Sequence, residues 1–400
     1  MIVLIADRLP AFVPSRLKAM GATVIAEPDL KNESLTTRLS EVSPDVLVVR
    51  STKVFAEHIE TADGLQLIVR AGAGVNTIDL DTASSRAVSV ANCPGMNAIA
   101  VAELAMGHIL NADRRIADNV ADLKAGQWRK KRYSKATGLK GSTLGVIGAG
   151  AIARAVIARA QAFEMTVACY APELDEELAE RLGVVRCESA LEVAKTCSIL
   201  TVHVPLMEQT RHLVGAEVLK ALPDGATVVN TSRGGIVDEA ALGEAVRTRD
   251  FRAGLDVFEV EPTSDGPFLC EVAQIDGVYG THHIGASNEQ AQSAVAEEAC
   301  RVIKVWHETG EAPNCVNLRR VSVATHQLVV RHLDRVGVLA GLLDQLRVQG
   351  INVQGMRNVI YSGDNGAACA RIKVVGAPDD SVVAEMKSMQ HILDVTIVAL

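Results

Sequence analysis

The stretch from Gly145 to Ala153, GVIGAGAIA, closes an apolar run and opens a helical pattern, and it restricts the fold more tightly than any other segment. A strand that passes into a helix through closely spaced glycines leaves the first backbone N–H groups of the helix free, and these can cradle a pyrophosphate. Gly148 and Gly150 supply the turn, Ala153 takes the third small-residue place, and Ala151 and Ile152 begin the helix beside the phosphates. In a dinucleotide fold the next strand ends on a carboxylate that accepts from the ribose hydroxyls. Here it ends Tyr170-Ala171-Pro172, so Ala171 stands in the ribose position without a side-chain acceptor.

The rest of the chain repeats the strand-to-helix alternation. Apolar runs at 2–6, 46–49, 67–69 and 88–91 are separated by helical patterns such as 14–20 and 34–41, which predicts a first parallel sheet. A long helical stretch covers 97–125. Strands are then expected at 143–147, 166–170, 199–203, 227–230, 253–257 and 277–279, enough for a doubly wound sheet. A second long helix is expected over 287–310 and a linker over 313–318. Beyond it, strand 321–330, helix 336–349, strands 351–360 and 367–375, helix 379–388 and strand 393–399 read βαββαβ, a ferredoxin-like module with a hairpin turn at 363–366. The expected fold class is therefore α/β, with two doubly wound parallel-sheet, Rossmann-like domains and a C-terminal ferredoxin-like domain.

A length of 400 residues suits two or three domains. The net charge of −8 and an aromatic content of only 3% argue against a nucleic-acid partner, because both backbone neutralisation and base stacking are poorly served. No apolar run reaches the roughly 18 residues of a membrane helix, and the first residues lack the basic start of a signal peptide. The 8 cysteines are scattered singly, without metal-ligand spacing, so no metal site is expected and reduced thiols in a cytoplasm fit best. Cys169 and Cys197, inside apolar runs, read as core residues.

Three ionisable residues fall just beyond consecutive strands of the second sheet: Arg233 in NTSRGG, Glu261 in DVFEVEP and His283 in THHIGAS. An arginine grips a carboxylate through parallel hydrogen bonds, a histidine takes a hydroxyl proton near neutral pH, and a neighbouring glutamate orients that histidine. Each residue alone has an ordinary structural explanation. Their joint placement beside a dinucleotide turn points to proton and hydride transfer from a hydroxy acid.

The motifs VVRSTKV at 48–54, RAGAGVNTIDL at 70–80, NCPGMNAIAVAE at 92–103, HVPL at 203–206, VVNTSRGGIVDE at 228–239, GLDVFEVEP at 254–262 and HIGAS at 283–287 follow one another as in a known family. The chain resembles the D-isomer-specific 2-hydroxyacid dehydrogenases, in particular those that carry a C-terminal ACT domain. The resemblance implies that Arg233 binds the substrate carboxylate, His283 is the acid-base and Glu261 its partner. It places Arg50, Ser51, Gly74 and Val75 at the substrate. Asp256, Thr231, Ser232, Gly285 and Ala286 fall at the cofactor, with Asp256 holding the nicotinamide amide. His203 is expected to support its loop. The basic run WRKKRY at 128–133 is read either as charge for a substrate phosphate or as a solvated loop.

The implied division is an outer, substrate-binding domain of 1–97 and 286–320, a dinucleotide domain of 98–285, and an ACT domain of 321–400, with the long helices as hinges. In the ACT module His332, Asp334 and Asn352 match effector-contacting positions, although Asp334 stands where serine-inhibited relatives have asparagine. Other departures are Ala151 for an arginine, Ala153 for a glycine, Ala171 for the ribose aspartate and His282 for a proline. Losing the aspartate opens the site to NADP, but no arginine is read as following it and Glu173, Asp175, Glu176 and Glu177 repel a 2′-phosphate if they lie close, so NAD is the expected cofactor. The implied activity is NAD-dependent oxidation of 3-phospho-D-glycerate to 3-phosphohydroxypyruvate, the entry to serine synthesis, in an amino-acid-regulated homodimer or homotetramer. The alternatives are a hydroxypyruvate or glyoxylate reductase and, in another class, a dinucleotide-sensing binding protein similar to the family's corepressors.

Overall fold

Short β-branched runs buried on both faces can satisfy their backbones only inside a helix-covered parallel sheet. The computed structural model, which describes residues 1–262, 265–319, 321–362 and 366–400, contains two such sheets. The first is built from β1 (Ile2–Ile5), β2 (Thr23–Ala26), β3 (Val46–Val49), β4 (Leu67–Arg70) and β5 (Ser89–Ala91) in the order β2-β1-β3-β4-β5. The second contains β6 (Thr143–Ile147), β7 (Thr166–Tyr170), β8 (Val185–Arg186), β9 (Ile199–Val202), β10 (Thr227–Asn230), β11 (Arg252–Leu255) and β12 (Val278–Gly280). Its order, β12-β11-β10-β9-β6-β7-β8, reverses direction between β6 and β9, and in such sheets ligands bind beyond the carboxyl ends at that reversal. All pairs in both sheets are parallel.

Two strands escaped the sequence pattern, and both lie at sheet edges. β2 is only partly buried and β8 has just two residues, so neither carries a long apolar run. The helical stretch over 97–125 is also two helices, Ala98–Arg114 and Ile116–Lys124, broken where Arg115 adopts a left-handed φ of 52° and Asn111 Oδ1 accepts from Ala117 N at 2.8 Å. The first of the two is buried on nearly all sides, through Ala100, Val101, Ala105, His108, Ile109 and Ala112, as expected of a helix threaded through a core. The helix Glu289–Thr309 buries Val295, Ala299, Val302 and Ile303 against the first sheet. Each valine or isoleucine among them contributes about 1.5–3 kcal/mol when fully buried.

The chain divides into two compact units, Met1–Asn317 and Leu318–Leu400. The segment read as a linker is tied down over part of its length: Val316 N donates to Val90 O, and the Asn317 side chain accepts from Val90 N and donates to Val88 O. In the second unit β13 (His326–Leu333), β14 (Val353–Ile360), β15 (Ala367–Val374) and β16 (Ile392–Ala399) form an antiparallel sheet in the order β14-β15-β13-β16, the ferredoxin-like arrangement. Leu328, Val330, Leu342, Ile372 and Met386 fill its core. β13 begins five residues later than the apolar pattern suggested, because its partner strands pair only from His326 onward. The expected hairpin turn at 363–366 lies largely outside the described residues.

Gly148 has φ of +110°, and a β-carbon there would lie 2.5 Å from the His203 carbonyl oxygen. Gly148→Ala therefore meets both backbone strain and a backbone clash. Urea unfolding should show a loss of at least about 1–3 kcal/mol; unchanged stability would mean that the turn does not need this close approach.

Candidate active site

β9, β10, β11 and β12 end side by side, so the residues that follow them meet at one sheet edge. His203, Thr231, Ser232, Arg233, Asp256, His283, Gly285 and Ala286 line a cleft of about 990 Å³ together with Gly74 and Val75 from the loop after β4 and Ile152 from the helix that follows Gly150. His283 Nδ1 lies 2.7 Å from Glu261 Oε2, with the two side chains 46% and 33% exposed. An ionised carboxylate only accepts, so Nδ1 carries the proton and Nε2 is left to exchange one with a ligand. Burial pushes the Glu261 carboxyl up, but hydrogen bonds from His283 and Phe258 N and the charges of His283 and Arg233 outweigh it and leave the group below its ordinary range.

Asp256 holds the histidine in place. Its carboxylate is 1% exposed and accepts from Thr281 Oγ1 at 2.6 Å, Ile284 N at 2.8 Å and Gly285 N at 2.8 Å, while its own carbonyl accepts from His283 N at 2.8 Å. These bonds clamp His283 in a left-handed conformation, φ 52°, which a non-glycine residue adopts at some cost and which recurs at functional sites.

Arg233, which lines the cleft, lies within charge range of Arg70. Asp7 accepts from Arg50 N, Ser51 N and Thr52 N and so fixes the loop after β3. Arg70, the last residue of β4, donates from Nε to Arg50 O at 2.9 Å. Its pKa is lowered by burial and by the charges of Arg233 and Arg50, which are close enough to repel it. Guanidinium groups that repel one another in this way are stabilised by a bound anion. Arg70 was not singled out from the sequence, although a strand ending on arginine inside the RAGAGVNTIDL run was a usable signal.

Not every expected residue reaches the cleft. Ala171 is 6% exposed and its methyl group packs in the core beneath the second sheet, so its side chain lends nothing to a ribose. Gly150 and Ala151 are exposed at the start of the helix Ala151–Ala162. Arg186 at the end of β8 does reach the loop after β7, where Nε donates to Leu174 O at 2.7 Å, but its guanidinium is already paired with Glu176 and Glu188. A 2′-phosphate would have to compete with those carboxylates. In the basic run Arg129 and Arg132 pair with Asp122, and Tyr133 Oη donates to the same carboxylate. Burial raises the Cys93, Cys169 and Cys197 thiols to about 12, which makes them core residues rather than nucleophiles. In the second unit Asp334 and Asn352 are exposed, whereas His332 is 1% exposed with Nδ1 at 2.9 Å from Leu333 O and Nε2 at 3.2 Å from Asn358 Oδ1.

Residues 106–285 match the family model for the D-isomer specific 2-hydroxyacid dehydrogenase NAD binding domain. The D-3-phosphoglycerate dehydrogenase of Methanocaldococcus jannaschii is 40% identical over 370 residues, 90% of this chain and 67% of that protein. The hydroxypyruvate reductase of Thermotoga maritima is 42% identical over 283 residues, 70% of this chain and 89% of that one. This chain belongs to the D-isomer-specific 2-hydroxyacid dehydrogenase family. Among solved structures of that fold, the NAD+-bound 3-phosphoglycerate dehydrogenase of Entamoeba histolytica has a TM-score of 0.65 at 26% identity and covers 80% of this chain and 99% of its own. The chain spans only 64% of another relative, the D-3-phosphoglycerate dehydrogenase of Archaeoglobus fulgidus, at 35% identity over 346 residues and 85% of this chain. Among the described residues no helix is long and apolar enough to cross a membrane.

A dehydrogenase of this family binds NAD, and the cleft is made for a polar ligand. His203 Nδ1 and Thr231 Oγ1 are buried without a partner among the described residues, and both residues line the cleft. Orphaned polar atoms of this kind are costly unless a ligand or water satisfies them. His203 Nε2 lies 3.0 Å from Thr201 Oγ1, and burial depresses the imidazole to about 3, which removes it from acid-base work near neutral pH. The folded pKa lies below the ordinary 6.5, so the neutral ring's contribution to stability is complete above 6.5 and drains as the pH falls toward 3. Between pH 6.5 and 5 this histidine should cost up to about 1.4 kcal/mol per pH unit. His203→Gln should show a flatter stability profile in denaturant titrations over that window; a slope equal to wild type would place the protonation elsewhere.

Proposed function

We propose that this chain oxidises 3-phospho-D-glycerate to 3-phosphohydroxypyruvate with NAD as hydride acceptor. The observation that carries the reading is Arg233 in the cleft beside the His283–Glu261 pair, with Arg70 close enough to feel the charges of both Arg233 and Arg50. A plain hydroxy acid has one carboxylate, whereas a phosphorylated one has a second, more highly charged anion that gives the additional guanidinium groups a purpose. Arg233 takes the carboxylate and polarises the C2 oxygen, Arg50 and Arg70 hold the phosphate, and Ser51, Gly74 and Val75 border the substrate. His283 Nε2 accepts the hydroxyl proton and Glu261 stabilises the imidazolium that forms; NAD, when bound, would supply the acceptor for the C2 hydride. Asp256 meets the nicotinamide amide. Thr231, Ser232, Gly285 and Ala286 border the cofactor, with Gly148, Gly150, Ala151 and Ile152 at its pyrophosphate.

NAD is favoured over NADP because Arg186 is neutralised by two glutamates. Residues 1–97 with the helix Glu289–Thr309 form the outer half of the cleft and 98–285 the inner half. The helix Ile116–Lys124 leaves Ile116, Val120 and Leu123 exposed along one side, followed by Trp128 at 81% exposure, and this face suits a second copy of the chain. Eight unpaired thiols fit a reducing cytoplasm. The second unit is read as an ACT module whose Asp334 and Asn352 meet an amino-acid effector while His332 supports the loop.

The test is a steady-state assay of 3-phosphoglycerate with NAD and with NADP, alongside hydroxypyruvate and glyoxylate reduction. The expected result is highest kcat/KM for 3-phosphoglycerate with NAD, near loss of turnover in His283→Gln with NADH binding retained, and a KM about tenfold higher or more in Arg70→Gln. Serine added to the same assay should lower turnover; a flat response would leave the module a role in assembly. Preference for hydroxypyruvate would favour the activity named for the Thermotoga relative, and cofactor binding without turnover of any hydroxy acid would favour a sensor.

A further inference from the structure

His108 lies outside the residues that would touch substrate or cofactor, yet it is 4% exposed and polar in the middle of the helix Ala98–Arg114. Its Nε2 is 3.1 Å from Thr281 Oγ1, and Thr281 Oγ1 is 2.6 Å from Asp256 Oδ1. The hydroxyl has one proton. An ionised carboxylate cannot donate, so that proton lies toward Asp256, and the hydroxyl must accept from His108 Nε2–H. The direction of the relay is thereby fixed: His108 donates to Thr281, and Thr281 donates to Asp256. Burial lowers the pKa of His108, in keeping with a neutral ring that carries its proton on Nε2.

The fold makes room for this imidazole at one point. A β-carbon on Gly254 in β11 would lie 2.5 Å from His108 Cβ and 2.8 Å from its Cγ, so the ring seats on bare strand backbone. A carboxylate offers about four acceptor positions. Thr281 Oγ1 and Ile284 N take those of Oδ1 and Gly285 N takes one of Oδ2, which leaves a single position on Oδ2 in a residue that lines the cleft.

We infer that His108 is a positioning residue of the cofactor site: through the Thr281 hydroxyl it fixes the Asp256 carboxylate, so that the remaining Oδ2 acceptor meets the carboxamide N–H of nicotinamide and the His283 loop stays in register. This rests on the dehydrogenase reading for its ligand, but not for the relay. Without the His108 donor the hydroxyl has a buried unmet acceptor and is free to turn away from Asp256.

The experiment compares His108→Met, which keeps apolar bulk, with His108→Gln, which keeps an N–H donor, by NADH fluorescence titration and thermal melting. His108→Met should remain folded and bind NADH about tenfold more weakly, as removal of outer-shell partners commonly does, while His108→Gln stays close to wild type. In a Thr281→Val background His108→Met should add no further loss. Equal impairment by Met and Gln, wild-type affinity in His108→Met, or independent losses in the double variant would overturn the relay. Imidazole nitrogen NMR of the protein without cofactor supplies a second readout. It should show His108 as the Nε2–H tautomer, and an Nδ1–H tautomer would overturn the proposal. Failure of the wild-type protein to bind NADH would instead remove the ligand reading, with the NMR result still deciding the relay.

Discussion

The site depends on one buried carboxylate. Asp256 sits at the end of β11, in a sheet interior that would reject an unpaired charge, and the chain satisfies it by folding the loop from Thr281 to Gly285 around it. That loop carries His283. The hydrogen bonds that satisfy a buried anion therefore also orient the residue proposed as acid-base, and the left-handed backbone at His283 is held by them rather than by its own preference.

Charge is distributed in the cleft with similar economy. The His283–Glu261 pair is only partly exposed and keeps the glutamate ionised, while Arg70 is held near the like charges of Arg233 and Arg50. Positive groups that repel one another are stored electrostatic energy until an anion arrives, which is how a preorganised site binds a charged ligand without large rearrangement. His203, by contrast, is neutral and buried, and the Thr201 hydroxyl lies beside its Nε2.

Much of this architecture was legible in the residues themselves. Buried parallel strands announce themselves as short, largely apolar runs, so the expected bounds of β3, β6, β7 and β10 match to the residue. Edge strands β2 and β8 lack that signal, and the start of β13 is set by the length of its partners, which a local pattern does not contain. The meeting of Arg233, Asp256 and His283 followed from the rule that ligands gather at the carboxyl ends of such a sheet, whereas Arg70 and His108 make their contacts with residues 20 and 173 positions away in sequence. Ala171 shows the converse: a motif position marks where a residue lies in the chain, and burial decides which way its side chain points.

In the proposed reaction a hydride leaves C2 of the substrate for NAD while His283 takes the hydroxyl proton. The most direct measurement uses 3-phospho-D-glycerate deuterated at C2 and follows the label by mass spectrometry. Deuterium is expected in the reduced nicotinamide, with none released to water at that step. Label appearing in solvent, with unlabelled NADH or none, would contradict it.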